Sequence, residues 1–276
     1  MYSVRVCPFC KSGRFTVLLD MDAEKSLWGS YGEHTKKADK KIEGVYPIVR
    51  CSDCAFVYSR HMLEAQYLHM IYDKILSPSL DRGYVHSFTY LKAMTAIYRL
   101  LLFTLNEAAY KDRVVKILDY GAGWGQFLEV AKNSTNEVYG FETSLERNNY
   151  MRSKGITVFE SREEILKNAP YDIICCNQVI EHIHDPLEVI TFISEILHDD
   201  GSAWISAPYY TEEVLAKNID RYNKFSKDSR WDEYPFTLNP FEHLNYFSPA
   251  SFKKFIEAGG CYIHLVDNDY MSIPGA

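Results

Sequence analysis

The stretch VVKILDYGAGWG, residues 114–125, decides the fold of this chain. Its first half is a β-branched and aliphatic run, which is typical of a parallel strand covered on both faces. The glycines that follow permit a tight turn and a close approach of the backbone to a ligand. The next residues, Gln126–Ala131, are helix formers, and a helix that begins there offers free N–H groups to that ligand. The stretch therefore predicts a strand, a glycine turn and a helix that together cradle a small molecule.

The spacing of the glycines argues against a dinucleotide as that molecule. A dinucleotide fingerprint needs Gly-x-Gly-x-x-Gly, whereas here the third glycine, Gly125, comes one residue early and Gln126 occupies its expected place. Asp119 argues in the same direction, because a carboxylate two residues before the first glycine would repel a pyrophosphate. The same carboxylate suits a ligand that carries an ammonium and a sulfonium group.

The pattern Asp119-x-Gly121-x-Gly123-x-Gly125 resembles motif I of the class I S-adenosylmethionine (AdoMet) methyltransferases. The resemblance implies a Rossmann-like α/β sheet, with the acid of the motif near the methionyl end of the cofactor. A second predicted strand ends at Glu142, where a carboxylate can accept hydrogen bonds from both ribose hydroxyls. A chance acid at a strand end is the alternative. The predicted cofactor-binding residues are Asp119, Gly121, Ala122, Gly123, Gly125, Glu142, Thr143, Asn177 and Gln178.

The segment NQVIEHI, residues 177–183, follows the predicted fourth strand, Tyr171–Cys176. In open α/β sheets ligands bind outside the carboxyl ends of the strands. Small-molecule methyltransferases commonly show a similar segment at this point. The resemblance implies that its first two residues line the cofactor pocket and that Glu181 and His182 stand at the start of the next helix.

The string EHLNYFS, residues 242–248, is similar to one in bacterial methyltransferases that act on nucleotide-linked deoxysugars and carry an N-terminal zinc module. That resemblance implies His243 as the general base, with Glu242 or a nearby carboxylate orienting it. A histidine that only caps or packs the next helix is the alternative, and His182 and Tyr84 are further candidates for catalysis. The methyl acceptor is predicted to be a sugar, nucleotide-linked or part of a glycan precursor, methylated on oxygen or carbon.

Two Cys-x-x-Cys pairs, Cys7 with Cys10 and Cys51 with Cys54, lie in the N-terminal part of the chain. This spacing lets two thiolates turn onto one tetrahedral ion, so the four sulfurs predict a closed structural zinc site in a zinc-ribbon-like module. A redox pair is one alternative, but its thioredoxin-like βαβ setting is missing. A disulfide is another, and a reducing cytosol argues against it. Between the pairs, His34 is expected to be solvated.

Composition and charge limit the class of function. The chain has 276 residues, 47% of them hydrophobic and 24% charged, which suits one α/β core with a small added module. The formal net charge of -7 disfavours nucleic acid and anionic membranes as partners and favours a small substrate. The N-terminus lacks the apolar core of a signal peptide, and no apolar run reaches the length of a membrane span. We therefore expect a cytoplasmic location.

The remaining segments predict the domain organisation: residues 1–60 form the zinc module, 61–110 a helical connector and 111–276 the methyltransferase domain. Within the domain, the long aromatic and charged segment 209–240 is expected to be a substrate-side insertion. The residues after 266 are too few for a seventh strand, so we expect a shortened sheet or a truncated chain. Further predicted elements are strands at 138–142, 156–159, 204–208 and 261–266, and helices at 161–167, 187–197 and from Pro249, capped by Ser248.

Three stretches outside the domain carry weaker signals. Asp20–Lys41 is polar and is expected to be an exposed loop without catalytic residues. Apolar residues at helical spacing predict helices at Met62–Leu76 and Phe88–Tyr110. The break between these helices holds Tyr84 and His86 as candidates for substrate contact.

Two other classes of function remain open at this point. A zinc-finger-bearing RNA methyltransferase shares the cysteines and the AdoMet motif, and the acidic charge balance argues against it. A non-catalytic binding module with a degenerate nucleotide fold is the second class. The presence of both Asp119 and Glu142 argues against that class.

Overall fold

The computed structural model describes residues 2–37, 41–64, 67–68, 71, 94–99, 102, 114–132, 136–226, 229 and 238–262. The chain divides into two compact units. The first unit contains Met1–Ser77, Ile180–Thr191 and Ala207–Ala276, and the second contains Pro78–Val179 and Phe192–Ser206. The domain boundaries predicted from the sequence stay predictions. No helix in the described ranges is long and apolar enough to cross a membrane.

The strands are β1 (Tyr2–Val4), β2 (Phe15–Asp22), β3 (Val45–Cys51), β4 (Val57–Ser59), β5 (His61–Leu63), β6 (Val115–Tyr120), β7 (Asn136–Phe141), β8 (Thr157–Phe159), β9 (Tyr171–Asn177), β10 (Leu197–Ser206) and β11 (Asn245–Tyr246). The α-helices with described bounds are Ala23–Tyr31, Gln126–Ala131, Leu145–Ser153, Arg162–Asn168, Pro186–Ile196, Glu212–Lys224 and Pro249–Ala258.

The second unit is built on a five-stranded sheet in the order β10-β9-β6-β7-β8, in which every neighbouring pair is parallel. Asp119 in β6 is paired in register with Gly140 on one side and with Cys175 on the other. The carboxyl ends of β6, β7 and β9 therefore meet at one edge of the sheet. The prediction of a Rossmann-like parallel sheet is confirmed.

Apolar burial explains why these strands form. In β6 the side chains of Val115, Ile117 and Leu118 are buried, as the β-branched run predicted. The helix Gln126–Ala131 covers the sheet with Phe127 and Leu128, which are also buried. The buried cluster of this unit consists of Met94, Tyr98, Val115, Ile117, Ala122, Phe127, Leu128, Ala131, Val138, Met151, Ile156, Ile173 and Cys175.

Between residues 114 and 258 the predicted boundaries agree with the observed elements to within a few residues, except in the fifth strand. The prediction that a connector helix begins at Met62 is wrong, because Met62 and Leu63 lie in β5. The predicted strand at 204–208 is the end of the longer β10, which begins at Leu197. Ser248 caps the helix Pro249–Ala258 as predicted, since its side chain accepts a hydrogen bond from the backbone N–H of Ser251. The predicted strand at 261–266 and most of the two predicted connector helices lie outside the described residues, although residues 94–99 are helical.

The first unit contains a four-stranded antiparallel sheet in the order β11-β4-β3-β2 and a separate pair of β1 with β5. The helix Glu212–Lys224 lies within the predicted insertion, and its buried side chains include Leu215 and Tyr222. Both join one apolar cluster with residues of the sheet. Its members are Leu19, Met21, Ile48, Val57, Tyr210, Leu215, Tyr222, Phe225, Leu238 and Tyr246.

The prediction of an exposed loop at Asp20–Lys41 is wrong. The segment holds the end of β2, the helix Ala23–Tyr31 and a 3-10 helix at Gly32–Lys37. Asp22 caps the α-helix by accepting a hydrogen bond from the backbone N–H of Lys25 at 2.8 Å. The helix buries small residues and one tyrosine rather than an aliphatic stripe, which is why its composition suggested a loop. The buried residues are Ala23, Ser26, Gly29 and Tyr31.

Candidate functional site

The glycine turn between β6 and the helix Gln126–Ala131 adopts the backbone that its sequence predicted. Gly121, Gly123 and Gly125 have φ angles of 83°, 54° and 76°, a region in which L side chains are strained. The backbone N–H groups of Gly121 and Ala122 both donate to the carbonyl oxygen of Phe141, at 2.8 and 3.0 Å. These bonds fix the turn against the end of β7.

Gly121 also has no room for a side chain, because an added Cβ would lie 2.4 Å from Cγ2 of Val179. Gly123 has the same sign of φ, but a Cβ there would meet nothing within 4 Å. We predict that Gly121→Ala lowers the free energy of unfolding by about 2–5 kcal/mol, from the positive φ and the overpacking together. Gly123→Ala, the matched control, should cost only the backbone part, about 1–2 kcal/mol. Urea unfolding of both variants measures the difference, and equal costs would contradict the steric role of Gly121.

Asp119 ends the strand as a buried acid. Its side chain is 5% exposed, and it shares a hydrogen bond with the thiol of Cys175, its register partner in β9. Burial raises the pKa of Asp119 to about 7, the Cys175 hydrogen bond lowers it, and the charge of Glu142 raises it. A cationic ligand beside this carboxyl group would favour its ionised form. The environment of Asp119 therefore fits the ammonium-bearing ligand predicted from the sequence.

Glu142 follows β7 and is held by the backbone around it. Its Oε2 accepts a hydrogen bond from the N–H of Gly123 at 3.0 Å, and its Oε1 accepts from the N–H groups of Thr143 and Ser144 at 2.7 and 2.9 Å. Arg147 lies 3.8 Å from Oε2. The acid thus ties the glycine turn to the end of the neighbouring strand, and its carboxylate is fixed in position before a ligand binds.

Asn177 and Gln178 stand at the end of β9. Oδ1 of Asn177 accepts a hydrogen bond from the hydroxyl of Ser206 at 2.5 Å, and the backbone N–H of Gln178 donates to the Ser206 carbonyl at 3.0 Å. Gln178 has a φ of 56°, which is uncommon for a residue other than glycine. The predicted cofactor-binding residues therefore lie in or directly after the carboxyl ends of β6, β7 and β9, at one edge of the parallel sheet.

The residues Glu181 and His182 lie in a turn, and the prediction that they begin the next helix is wrong. That helix starts at Pro186. The turn is held instead by distant residues, because the N–H groups of Leu244 and Asn245 donate to the Glu181 carbonyl at 2.7 and 3.1 Å. This pairing brings His182 next to His243, with ring centroids 5.0 Å apart and ring planes at 65°.

Asn245 and Arg5 fix this arrangement, and the sequence had not marked either as functional. Nδ2 of Asn245 donates to the carbonyls of Ile180 and Ile183 at 2.9 and 2.7 Å. The buried guanidinium of Arg5 donates to four uncharged oxygens, and burial lowers its pKa to about 10, so it stays charged at neutral pH. The four acceptors are the carbonyls of Ser59, His184 and Leu244 and Oδ1 of Asn245.

Burial has the largest effect on the pKa values of Glu181, His182 and Glu242. Burial raises the pKa of Glu181 to about 8, and burial together with the charge of His243 lowers the pKa of His182. Nδ1 of His182 lies 2.9 Å from the backbone carbonyl of Glu242. Burial also raises the pKa of the Glu242 carboxyl group, while the hydroxyl of Tyr31, which donates to it at 2.7 Å, lowers that pKa.

Tyr31 comes from the segment in which no catalytic residue was expected. Nδ2 of Asn239 donates to its hydroxyl at 3.0 Å, so Tyr31 links Asn239 to Glu242. A tyrosine 211 positions before Glu242 carries no signal in the sequence that marks this role. The remaining candidates, Tyr84 and His86, lie outside the described residues.

The four cysteines of the two pairs come together. Sγ of Cys7 is 3.5 Å from Sγ of Cys54, Sγ of Cys10 is 3.5 Å from Sγ of Cys51, and all four sulfurs lie within 4.8 Å of one another. Four sulfurs at about 2.3 Å from a zinc ion would be roughly 3.8 Å apart. The donor set and its spacing therefore fit a tetrahedral ion.

The two cysteine pairs are built alike. The residues after them, Lys11 and Ala55, have φ angles of 58° and 64°, and each donates its N–H to the carbonyl of the first cysteine of its pair, at 2.9 and 3.0 Å. Because the same strained turn occurs at both pairs, the two pairs present their thiol groups in the same way, as ligands of one ion would. No disulfide joins any cysteine of the described residues.

Comparison with known proteins agrees with the fold and the residues described above. A family model described as a methyltransferase domain matches residues 90–266. The ubiquinone biosynthesis O-methyltransferase of Actinobacillus pleuropneumoniae serotype 7 (strain AP76) is 23% identical in an alignment of 139 residues that covers 41% of this chain. The match spans only 59% of the length of that relative.

Two solved structures share the fold at low sequence identity. The plantazolicin methyltransferase BamL, in complex with a triazolic desmethylPZN analog and SAH, is 14% identical with a TM-score of 0.50, over 70% of this chain and 71% of its own. The cyclopropane synthase MmaA2 from Mycobacterium tuberculosis is 18% identical with a TM-score of 0.50, over 65% of each chain. Since the family match covers more than half of the sequence, this chain belongs to the methyltransferase-domain family, and the prediction of an AdoMet-dependent methyltransferase domain is confirmed.

Proposed function

We propose that the chain transfers a methyl group from AdoMet to a small polar acceptor. The observation that carries this proposal is the arrangement of Asp119, the glycine turn and Glu142 at one edge of the sheet. When bound, AdoMet supplies a methyl group on a sulfonium for in-line displacement. The residues of the chain hold the cofactor and position the acceptor, which is the main contribution an enzyme makes to such a step.

Each cradle residue has a role that its surroundings support. Asp119 would bind the ammonium of the methionyl part, because a buried acid with a raised pKa gains most from a cationic neighbour. Glu142 would accept hydrogen bonds from the ribose hydroxyls, since its carboxylate is already fixed by backbone N–H groups. Gly121 and Gly123 let the backbone approach the cofactor, and Asn177 and Gln178 would line the pocket.

Isothermal titration tests cofactor binding directly. We expect Glu142→Gln to weaken AdoMet binding roughly ten- to hundredfold, because a hydrogen bond to a charged group contributes about 1.5–3 kcal/mol. Glu137→Gln is the matched control, since Glu137 lies in β7, the strand that Glu142 directly follows, and its carboxylate accepts from the hydroxyl of Tyr139. It should bind AdoMet like the wild type. The proposal would be overturned if the folded wild-type protein bound neither AdoMet nor its demethylated product at sub-millimolar concentration.

For the acceptor we propose a sugar, nucleotide-linked or part of a glycan precursor. The string EHLNYFS and the two cysteine pairs support this class by their resemblance to methyltransferases of nucleotide-linked deoxysugars. The net charge of -7 opposes the competing class, a zinc-bearing RNA methyltransferase. We predict that labelled methyl groups from AdoMet enter members of a nucleotide-sugar panel and not bulk RNA. Label in RNA would reverse the choice.

We propose that His243 accepts the proton of the acceptor group. A histidine can do so near neutral pH, and Glu242, the residue before it, is held by Tyr31. The backbone carbonyl of Glu242 also accepts a hydrogen bond from Nδ1 of His182. The positions of both His182 and His243 therefore depend on Glu242. His182 and Tyr84 are the reserve candidates for the base.

We also propose one structural zinc ion on Cys7, Cys10, Cys51 and Cys54. With four sulfur ligands no position stays open for a substrate, so the ion would stabilise the N-terminal part of the chain rather than take part in chemistry. Thiolate ligands of this kind suit a reducing compartment, and the cytoplasm is the location that we propose.

A further inference from the structure

Glu181, His182 and His243 form a second group of potential metal ligands in the first unit. One ligand atom from each residue lies within 4.8 Å of the other two. The turn that carries Glu181 and His182 is held against the segment of His243 by five hydrogen bonds already described, from Leu244, Asn245 and Arg5. The three side chains are therefore supplied by a fixed backbone rather than by a mobile loop.

The carboxylate of Glu181 is the first sign of a missing partner. The residue is 1% exposed, and neither Oε1 nor Oε2 has a hydrogen-bond partner from another described residue; only its own backbone N–H interacts with the carboxyl group, which lowers the pKa of Glu181 slightly against the effect of burial. A buried carboxyl group without a partner is strongly unfavourable, because it loses its hydration in water and gains no interaction in the protein. Folded proteins rarely keep such a group unless something binds it, and metal coordination is one of the recognised solutions.

The orientation of His182 supplies the second sign. A backbone carbonyl can only accept, so Nδ1 of His182, 2.9 Å from the carbonyl of Glu242, carries the hydrogen. Nε2 is then the ring atom that is left for a ligand, and it lies 3.6 Å from Oε1 of Glu181. When the carboxyl group is ionised, both atoms are acceptors, and a metal ion or a proton between them would remove their repulsion. A carbonyl that holds the remote nitrogen of a histidine is also the usual second-shell contact of a metal ligand.

His243 favours a metal ion over a proton in that position. A proton shared between Glu181 and His182 would involve only those two groups. The ring of His243 also lies there, with its centroid 5.0 Å from that of His182, and a metal ion can bind all three. Ligand atoms at about 2.1 Å from an ion are roughly 3.4 Å apart in a tetrahedron and at most about 4.2 Å apart. Small rotations of the side chains therefore bring all three atoms onto one ion.

We propose that Glu181, His182 and His243 form a second metal site that binds one divalent first-row transition ion, separately from the four cysteines. Two imidazoles and one carboxylate select zinc, cobalt, nickel or iron rather than magnesium or calcium, which prefer oxygen ligands. Three protein ligands leave at least one position open. The lone pair of His243 that binds the ion is also the one that a base needs, so the bound ion blocks proton transfer. This last consequence rests on the proposed function, but metal binding does not.

Cobalt binding tests the site without any substrate. Protein with zinc on its cysteines is dialysed against Co²⁺, and the expected result is one cobalt per chain with visible d–d bands and without thiolate-to-cobalt charge transfer. Glu181→Gln and His182→Gln should lose this cobalt. His184→Gln is the matched control, since that histidine is two residues along the same turn and contributes only its backbone carbonyl to Arg5. It should keep the cobalt.

A measurement on the wild-type protein makes the test independent of how the variants fold. X-ray absorption at the cobalt edge should show nitrogen and oxygen at about 2.0–2.2 Å and no sulfur at about 2.3 Å. Sulfur in that shell, no cobalt bound at sub-millimolar concentration, or full binding by folded Glu181→Gln would each overturn the site. If cobalt binds as expected but leaves methyl transfer unchanged, the site stands and the assignment of His243 as base fails.

Discussion

Replacing His243 with alanine or glutamine is expected to lower the rate of methyl transfer by roughly two to four orders of magnitude, the usual contribution of general acid–base catalysis. The affinity for AdoMet should change little, because the residues proposed to bind the cofactor are Asp119, the glycine turn and Glu142. Loss of rate with retained affinity is the pattern of a group that acts in the transition state. Single-turnover rates and isothermal titration, recorded on the same preparations, separate the two quantities.

The neighbouring histidines make this experiment specific. His184→Gln should retain nearly normal turnover, because its ring is not part of the group formed by Glu181, His182 and His243. The glutamine variant of His243 keeps most of the volume of the ring and so limits packing effects. Turnover of both His243 variants close to that of the wild type would remove this residue from the mechanism. Catalysis would then rest on positioning of the acceptor.

Removing two of the four cysteines should have the largest effect on stability. Cys51→Ser with Cys54→Ser leaves two sulfurs, too few to hold zinc as a closed site. Structural zinc contributes about 10–16 kcal/mol of binding free energy in zinc-finger peptides, comparable with the whole stability of a domain, about 5–15 kcal/mol. We therefore expect the double variant to lose its zinc and the protein to unfold or aggregate in its N-terminal part at ordinary temperatures.

Elemental analysis provides the direct measurement for this prediction. The wild type should contain one zinc ion bound by the cysteines per chain, and Cys261→Ser, which changes a partly buried cysteine outside the pairs, should retain it. A structural zinc site would be contradicted if the purified wild-type protein contained no zinc, or if the double variant kept its cysteine-bound metal. Thermal unfolding followed by circular dichroism shows whether the loss of metal and the loss of structure occur together.

The parallel sheet and the glycine turn could be predicted because their signals are local. An apolar run such as the one before Asp119 marks a buried strand by itself, and a glycine turn with φ angles above zero is recognisable from its residue types. The cap of Ser248 is local in the same sense. In each case the residues that form the feature are neighbours in the sequence.

The features that could not be predicted depend on residues far apart in the chain or on an unusual buried face. The helix Ala23–Tyr31 buries Ser26 and Gly29, and small polar residues give no hydrophobic periodicity to detect. The turn of Glu181 and His182 is held by Asn245 instead of continuing into a helix, through bonds to residues up to 65 positions away. No pattern within a short window of sequence contains that information.

The hydrogen bonds of Arg5 have a consequence for how the protein is made. Arg5 leaves the ribosome well before its partner Asn245, which follows 240 positions later. Contacts of such long sequence separation form late and slow folding, because closing the loop costs entropy before the contact stabilises anything. Until then a charged guanidinium that ends up buried must stay in water. The histidine pair, which depends on the same bonds, can therefore assemble only after synthesis has passed Asn245.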